Sequence, residues 1–210
     1  MHSIDLLYRS LIRMRRRSVT LVILAFVLVL ACRKDGPDDP VVNNGGGGQG
    51  GTGVSVDLAQ VPYDSLSKYR FFTGAMKDLV PADGVLPYEP TTPLFSDYAH
   101  KLRFVWMPPG MSATYVADTC VMEFPEGAVL IKNFYYDHVL PQDERRIMET
   151  RLLIRKNGAW VYAEYIWNAE QTEAVMDLGG SKTPVQWVDE HGNVRDLNYS
   201  FASAHESHTS

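Results

Sequence analysis

Around Asn157-Gly158 the chain alternates apolar and polar positions in both directions, and this is its firmest structural signal. "METRLLIRK" and "AWVYAEYIWN" flank the pair. Asn-Gly tolerates the positive φ angles of a type I′ turn, so the stretch predicts a two-residue β-hairpin. Folding about that turn sets Arg155 against Trp160, Leu153 against Tyr162 and Arg151 against Glu164 on one face. The other face pairs Ile154 with Val161, Leu152 with Ala163 and Thr150 with Tyr165. One face therefore carries a cation beside a ring and an ion pair, while its opposite is nearly all apolar, as expected of a sheet with one wet side. A slip of one residue would bury both arginines, which pins the register.

The same signal recurs along the chain. "KLRFVWM" runs into the Pro108-Pro109-Gly110 turn, and "AVLIKNFYY" follows Pro125-Glu126-Gly127. "TPVQWVD" and "VRDLNYS" form a second predicted hairpin about Glu190-His191-Gly192-Asn193. Leu66 to Leu79 predicts a short helix interrupted at Gly74, and the proline- and glycine-punctuated stretch after it predicts extended loop and turn. These elements make a mostly β domain over residues 56–200: an antiparallel β-sandwich or partly open barrel with one or two short helices. Residues 201–210 are small and polar and read as a disordered tail.

The N-terminus follows a different logic. Arg9, Arg13, Arg15, Arg16 and Arg17 precede an apolar run from Val19 to Ala31. A membrane-spanning helix needs about 20 apolar residues, so this shorter run behind a basic segment reads as a signal peptide, with Met14 an alternative start. Val29-Leu30-Ala31-Cys32 resembles a bacterial lipobox, which implies cleavage after Ala31 and lipidation of Cys32. The chain would then be held at a membrane. Residues 32–55, rich in Gly, Asp, Pro and Asn, have too little apolar surface to fold and read as a flexible linker with a reach of roughly 25 Å. Removing residues 1–31 takes five arginines and one aspartate from 20 basic and 25 acidic residues, leaving 15 against 24. No basic cluster of the kind nucleic-acid binders carry is evident, so nucleic acid is not an expected partner. With Cys32 lipidated, Cys120 is the one remaining thiol and the chain forms no internal disulfide.

Candidates for chemistry are few. Asp137, His138, Asp143 and Glu144 share one loop, without HExxH or CxxC spacing. Asp97 and His100 are an acid and base pair with no neighbouring nucleophile. Cys120 precedes a strand-like stretch, where a small buried hydrophobe is its default role. The four tryptophans, Trp106, Trp160, Trp167 and Trp187, suit core and cross-strand packing. Lys132 stands out. Alternation puts it with Leu130, Phe134 and Tyr136 on one strand face, opposite Val129, Ile131, Asn133 and Tyr135. A snorkelling lysine explains it, as does a role facing a partner or cofactor.

"LSKYRFFTGAMKDLVPADGVLPYEPTTPLFSDYAHKLRFVWMPPG", "FPEGAVLIKNFYYD", "ERRIMETRLLIRKNGAWVYAEYIWNAEQTEA" and "TPVQWVDEHGNVRDLNYS" together resemble the N-terminal part of a bacterial envelope family. Its members are described as conserved hypothetical proteins or diheme c-type cytochromes. The resemblance spans residues 62–199 and implies a lipid-anchored envelope domain, at the outer membrane and facing periplasm or cell surface. In complete members a C-x-x-C-H heme site follows the step matching Asn198-Tyr199. No cysteine follows Cys120 here, so the expectation is a chain that stops before its electron-transfer half and holds no heme, with a downstream or separate cytochrome as partner. "FPEGAVLIKNFYY" followed by "NGAWVY" is also similar to small β-rich c-type cytochromes that link a lysine to their heme. That likeness implies a heme-facing position for Lys132. The alternative is a heme-free surface module that binds a glycan or protein through exposed aromatic side chains.

Overall fold

The structure, a computed structural model, describes residues 53–92, 97–177 and 179–201. The expected leader, Cys32, most of the linker and the tail after residue 201 lie outside these residues. The fold is mostly β and antiparallel, in sheets that do not close into a barrel. Two short strands, β1 (Phe72–Thr73) and β2 (Val80–Pro81), pair with each other. The remaining eight form one sheet.

At the centre of that sheet is β5 (Val129–Val139). β6 (Glu144–Lys156) lies along one edge of β5, followed by β7 (Ala159–Trp167) and β8 (Ala174–Met176). The other edge of β5 is shared. β4 (His100–Trp106) covers its first seven residues and carries β3 (Val85–Pro87) outside it. β9 (Lys182–Val188) then takes over at Val139↔Trp187 and pairs with β10 (Val194–Ser200). The sheet therefore forks at β5.

The β6–β7 hairpin has the register expected from its sequence, with Arg155↔Trp160, Leu153↔Tyr162 and Arg151↔Glu164 on one face and Ile154↔Val161, Leu152↔Ala163 and Thr150↔Tyr165 on the other. Asn157 and Gly158 both take positive φ, 54° and 72°. The expected helix over Leu66 to Leu79 is instead two 3₁₀ turns, Leu66–Tyr69 and Met76–Asp78, with β1 between them. Gly74 at φ 70° and left-handed Arg70 and Leu79 break the helix. Burial decides the matter: the turn and the extended residues after it send Leu66, Tyr69 and Phe71 into the core, which an uninterrupted helix would not.

Two cores occupy opposite faces of the sheet. Val129 and Ile131, Leu152 and Ile154, and Ala163 and Tyr165 pack under the segment from Val54 to Ala82. Tyr69 and Tyr165 join hydroxyls at 2.9 Å there, and the Tyr165 hydroxyl donates to the Tyr63 carbonyl at 2.7 Å. Asn133, the polar residue in this face of β5, is satisfied by the Thr150 hydroxyl at 2.6 Å, which in turn accepts from the Trp167 indole at 3.0 Å. On the opposite face, Phe134, Tyr136 and Met148 pack beneath Val185, Trp187, Tyr199 and Phe201. A bulge makes this possible: Phe134 pairs with Glu149 and Tyr135 with Ile147, leaving Met148 as the extra residue of β6.

Gly158 has open space where a Cβ would go, so a substitution there is opposed by its backbone angle alone. Gly158→Ala is expected to lower stability by about 1 kcal/mol, the order of the left-handed penalty for an L-residue. Urea unfolding of variant and parent measures this.

Candidate functional site: a basic row on the open sheet face

Lys132 lies in a line of charge that crosses four strands. The registers place Arg103 of β4 opposite Lys132 of β5, Lys132 opposite Arg151 of β6, and Arg151 opposite Glu164 of β7. Directly opposed strand residues hold their Cβ atoms about 4.5–5.5 Å apart, and like charges so placed destabilise a sheet. Three cations therefore stand side by side at an energetic cost. Among the described residues neither Arg103 nor Lys132 makes an ion pair. The Lys132 ammonium lies 4.7 Å from the centre of the Phe134 ring, and the Arg151 guanidinium 4.6 Å from the same ring. Burial, then repulsion from Arg103, Arg151 and Lys101, pulls the Lys132 amine down to about 8.

Two fully buried carboxyls adjoin the cations, Glu164 at the β7 end of the row and Glu149 two residues before Arg151 on β6. The Glu149 Oε1 accepts from Arg151 Nη2 at 2.6 Å and from the Tyr199 hydroxyl at 2.6 Å. Glu164 Oε2 accepts from the Tyr162 hydroxyl at 3.0 Å. The ion pair expected between Arg151 and Glu164 is thus made to Glu149, two residues along the same strand, at 2.6 Å. Glu149 and Arg151, two residues apart on β6, are adjacent on this face, and the hydroxyl of Tyr199 adds a second donor to the same oxygen.

Glu149 Oε2 is buried with no donor from an N–H or a fixed hydroxyl. The Glu164 carboxyl bonds to Glu149, and two carboxyls can do so only with a proton between them. Burial first, and then the bond to and repulsion from Glu149, push the Glu164 carboxyl up to about 8. Glu164 therefore keeps its proton at neutral pH.

The other candidates are not brought together in this way. His138 Nδ1 and Asp143 Oδ1 meet at 2.8 Å on an exposed loop, and Asp137 is held by Arg145 at 2.7 Å. Glu144 is exposed at the start of β6. No three of the metal-ligating side chains among the described residues converge on a common point. No hydrogen bond or ion pair links Asp97 to His100, whose ring stacks on Tyr135 at 5.4 Å, on the sheet face opposite Lys132. Cys120 is half-buried in a turn in which its N–H donates to the Ala117 carbonyl at 3.0 Å. Trp106, Trp167 and Trp187 are buried, whereas Trp160 is 38% exposed beneath Arg155, whose guanidinium is 5.7 Å from its ring.

Sequence reasoning singled out Lys132 but missed Arg103, Glu149 and Tyr199. Alternation in "KLRFVWM" does put Lys101 and Arg103 on one face, but the pairing of β4 with β5 joins residues about thirty positions apart and has no local signature. Comparison with family models, with curated proteins and with solved structures finds no match for this chain.

A raised carboxyl has a defined effect on stability. The unfolded chain releases the Glu164 proton near 4.5, as an ordinary glutamate does, whereas the folded chain keeps it to about 8. Its contribution is thus whole below about 4.5 and is lost as pH rises toward 8, with a slope approaching about 1.4 kcal/mol per pH unit. Glu164→Gln keeps a donor toward Glu149 and an acceptor for Tyr162 without titrating. Parent minus variant stability, from urea unfolding, is expected to fall across pH 5 to 8.

Proposed function

We propose that this chain is the lipid-anchored N-terminal β domain of a cell-envelope protein related to c-type cytochromes, and that it docks and orients a redox partner without carrying a redox centre of its own. The observation that carries the reading is the position of Lys132. The lysine matched by the sequence resemblance is half-buried in the middle of the sheet, between two arginines, on a face left partly open. A group brought by another domain or protein would meet this face.

Residues 1–210 do not suit covalent heme. They contain two cysteines, Cys32 and Cys120, and no C-x-x-C-H. His100 lies on the opposite face of the sheet from Lys132. The domain's contribution is therefore binding and orientation, with electron chemistry belonging to the partner.

A second reading, a heme-free surface binding module, draws on the same open face. Its glycan form needs a row of exposed coplanar tryptophans, and three of the four are buried. The cationic row thus favours an anionic protein partner over a sugar.

Two measurements test the proposal. Cys32→Ala is expected to move the chain from the membrane to the soluble fraction and to abolish incorporation of labelled palmitate. Expression in cells competent for c-type heme maturation is expected to give no covalent heme absorbance from the 210-residue chain. A heme spectrum from that chain, or continued membrane retention and labelling of Cys32→Ala, would overturn the reading.

A further inference from the structure

The wet face of the sheet is open for only part of its length. Its rows run across the strands about 6.8 Å apart, two residues along each strand. The row Lys101, Phe134, Glu149 and Ile166 lies at the covered end, where Phe134 and Ile166 join the core beneath β10 and the Tyr199 hydroxyl reaches Glu149. Three rows further from that cover, Trp160 is met edge-on by Phe124 at 5.6 Å between ring centres. Between these coverings two rows form a floor. One is basic, Arg103, Lys132 and Arg151, and ends on β7 at the buried Glu164; the other is apolar, Val105, Leu130 and Leu153, continued by Tyr162.

We infer that this floor is a binding site for an extended peptide segment in which acidic and apolar residues alternate, its carboxylates on Arg103, Lys132 and Arg151 and its apolar side chains on Val105, Leu130 and Leu153. Charge complementarity identifies the occupant. Arg103 and Lys132 have no anionic partner among the described residues, and Arg151, which holds Glu149 through Nη2 at 2.6 Å, has its Nε buried without an acceptor. Three cations spaced at strand separation span roughly 10 Å, and carboxylates at alternate positions of an extended chain repeat about every 6.8 Å, so two fit the row. The residues between them project to the other side of the chain, toward the parallel apolar row. A flat membrane fits less well, because β10 and Phe124 cover the floor at either end.

The inference deepens the docking role proposed above and rests on it, but it does not require the partner to carry heme. It also predicts a proton balance. A carboxylate against Lys132 restores full charge to an amine that burial and its cationic neighbours hold at about 8, so binding at pH 8 takes up protons.

The test is titration of the full chain with a fluorescein-labelled octapeptide alternating glutamate and leucine, by anisotropy and by calorimetry in buffers of different ionisation enthalpy. Binding that weakens with salt and is accompanied by proton uptake is expected. Lys132→Gln and Arg103→Gln should each weaken it by about tenfold or more, the scale of one lost charge-assisted hydrogen bond. Lys132→Arg should retain affinity without proton uptake, and Lys182→Gln, exposed on β9, should leave both unchanged. Absence of binding, or parental affinity in folded Lys132→Gln and Arg103→Gln, would refute the site. So would attachment to phosphatidylglycerol vesicles without affinity for the peptide, which would make the row a membrane contact. A heme-bearing chain that still binds the peptide would remove the docking reading of function while leaving this site intact.

Discussion

The register of β5 between β4 and β6 is the constraint on which the rest depends. Ladder hydrogen bonds and the apolar face set it together: Val129 and Ile131 must face Leu152 and Ile154 on the buried side. Once they do, period-two alternation leaves no choice on the reverse side, and Arg103, Lys132 and Arg151 fall into line. The basic row is thus a consequence of core packing on the far side of the sheet. Moving the cations apart would require shifting strands whose inward residues are fully buried.

The same sheet buries two carboxyls close to that row, which is costly unless each is paired. Glu149 is paired twice through one oxygen, with Arg151 and Tyr199, and its carboxyl also meets that of Glu164. Tyr199 belongs to β10, so this small network also ties the C-terminal hairpin to the middle of the sheet. Packing of Phe134, Tyr136 and Trp187 supplies the apolar part of that attachment. The hairpin is therefore held both by hydrophobic area and by the Tyr199–Glu149 hydrogen bond.

How much of this was legible in the sequence depends on the range of the interaction. Asn157-Gly158 announced its hairpin because the turn and both strands are contiguous in the chain, from Glu144 to Trp167, and every pair predicted there is present. The β9–β10 hairpin was readable for the same reason. Leu66 to Leu79 misled because helix-like composition was outweighed by Gly74 and by the demand to bury Tyr69 and Phe71 against β7. Lys132 was visible as one charge in an apolar strand, but its neighbours were not. Arg103 reaches it through a non-local pairing, and Glu149 meets Tyr199 across fifty positions, helped by a bulge that no local pattern marks.

The sheet's outer boundaries bear on crowding. β8 is three residues long, and Ser65 bridges to Val175 while the Met176 N–H donates to the Asp64 carbonyl, so its free side is already occupied. β3 is equally short and ends in Pro87, which has no N–H to offer. β10 is longer but presents Arg195 and Asp196 to solvent. Exposed strands elongate into intermolecular sheets when copies meet often. Short, occupied or charged borders let neighbouring copies collide without joining strand to strand.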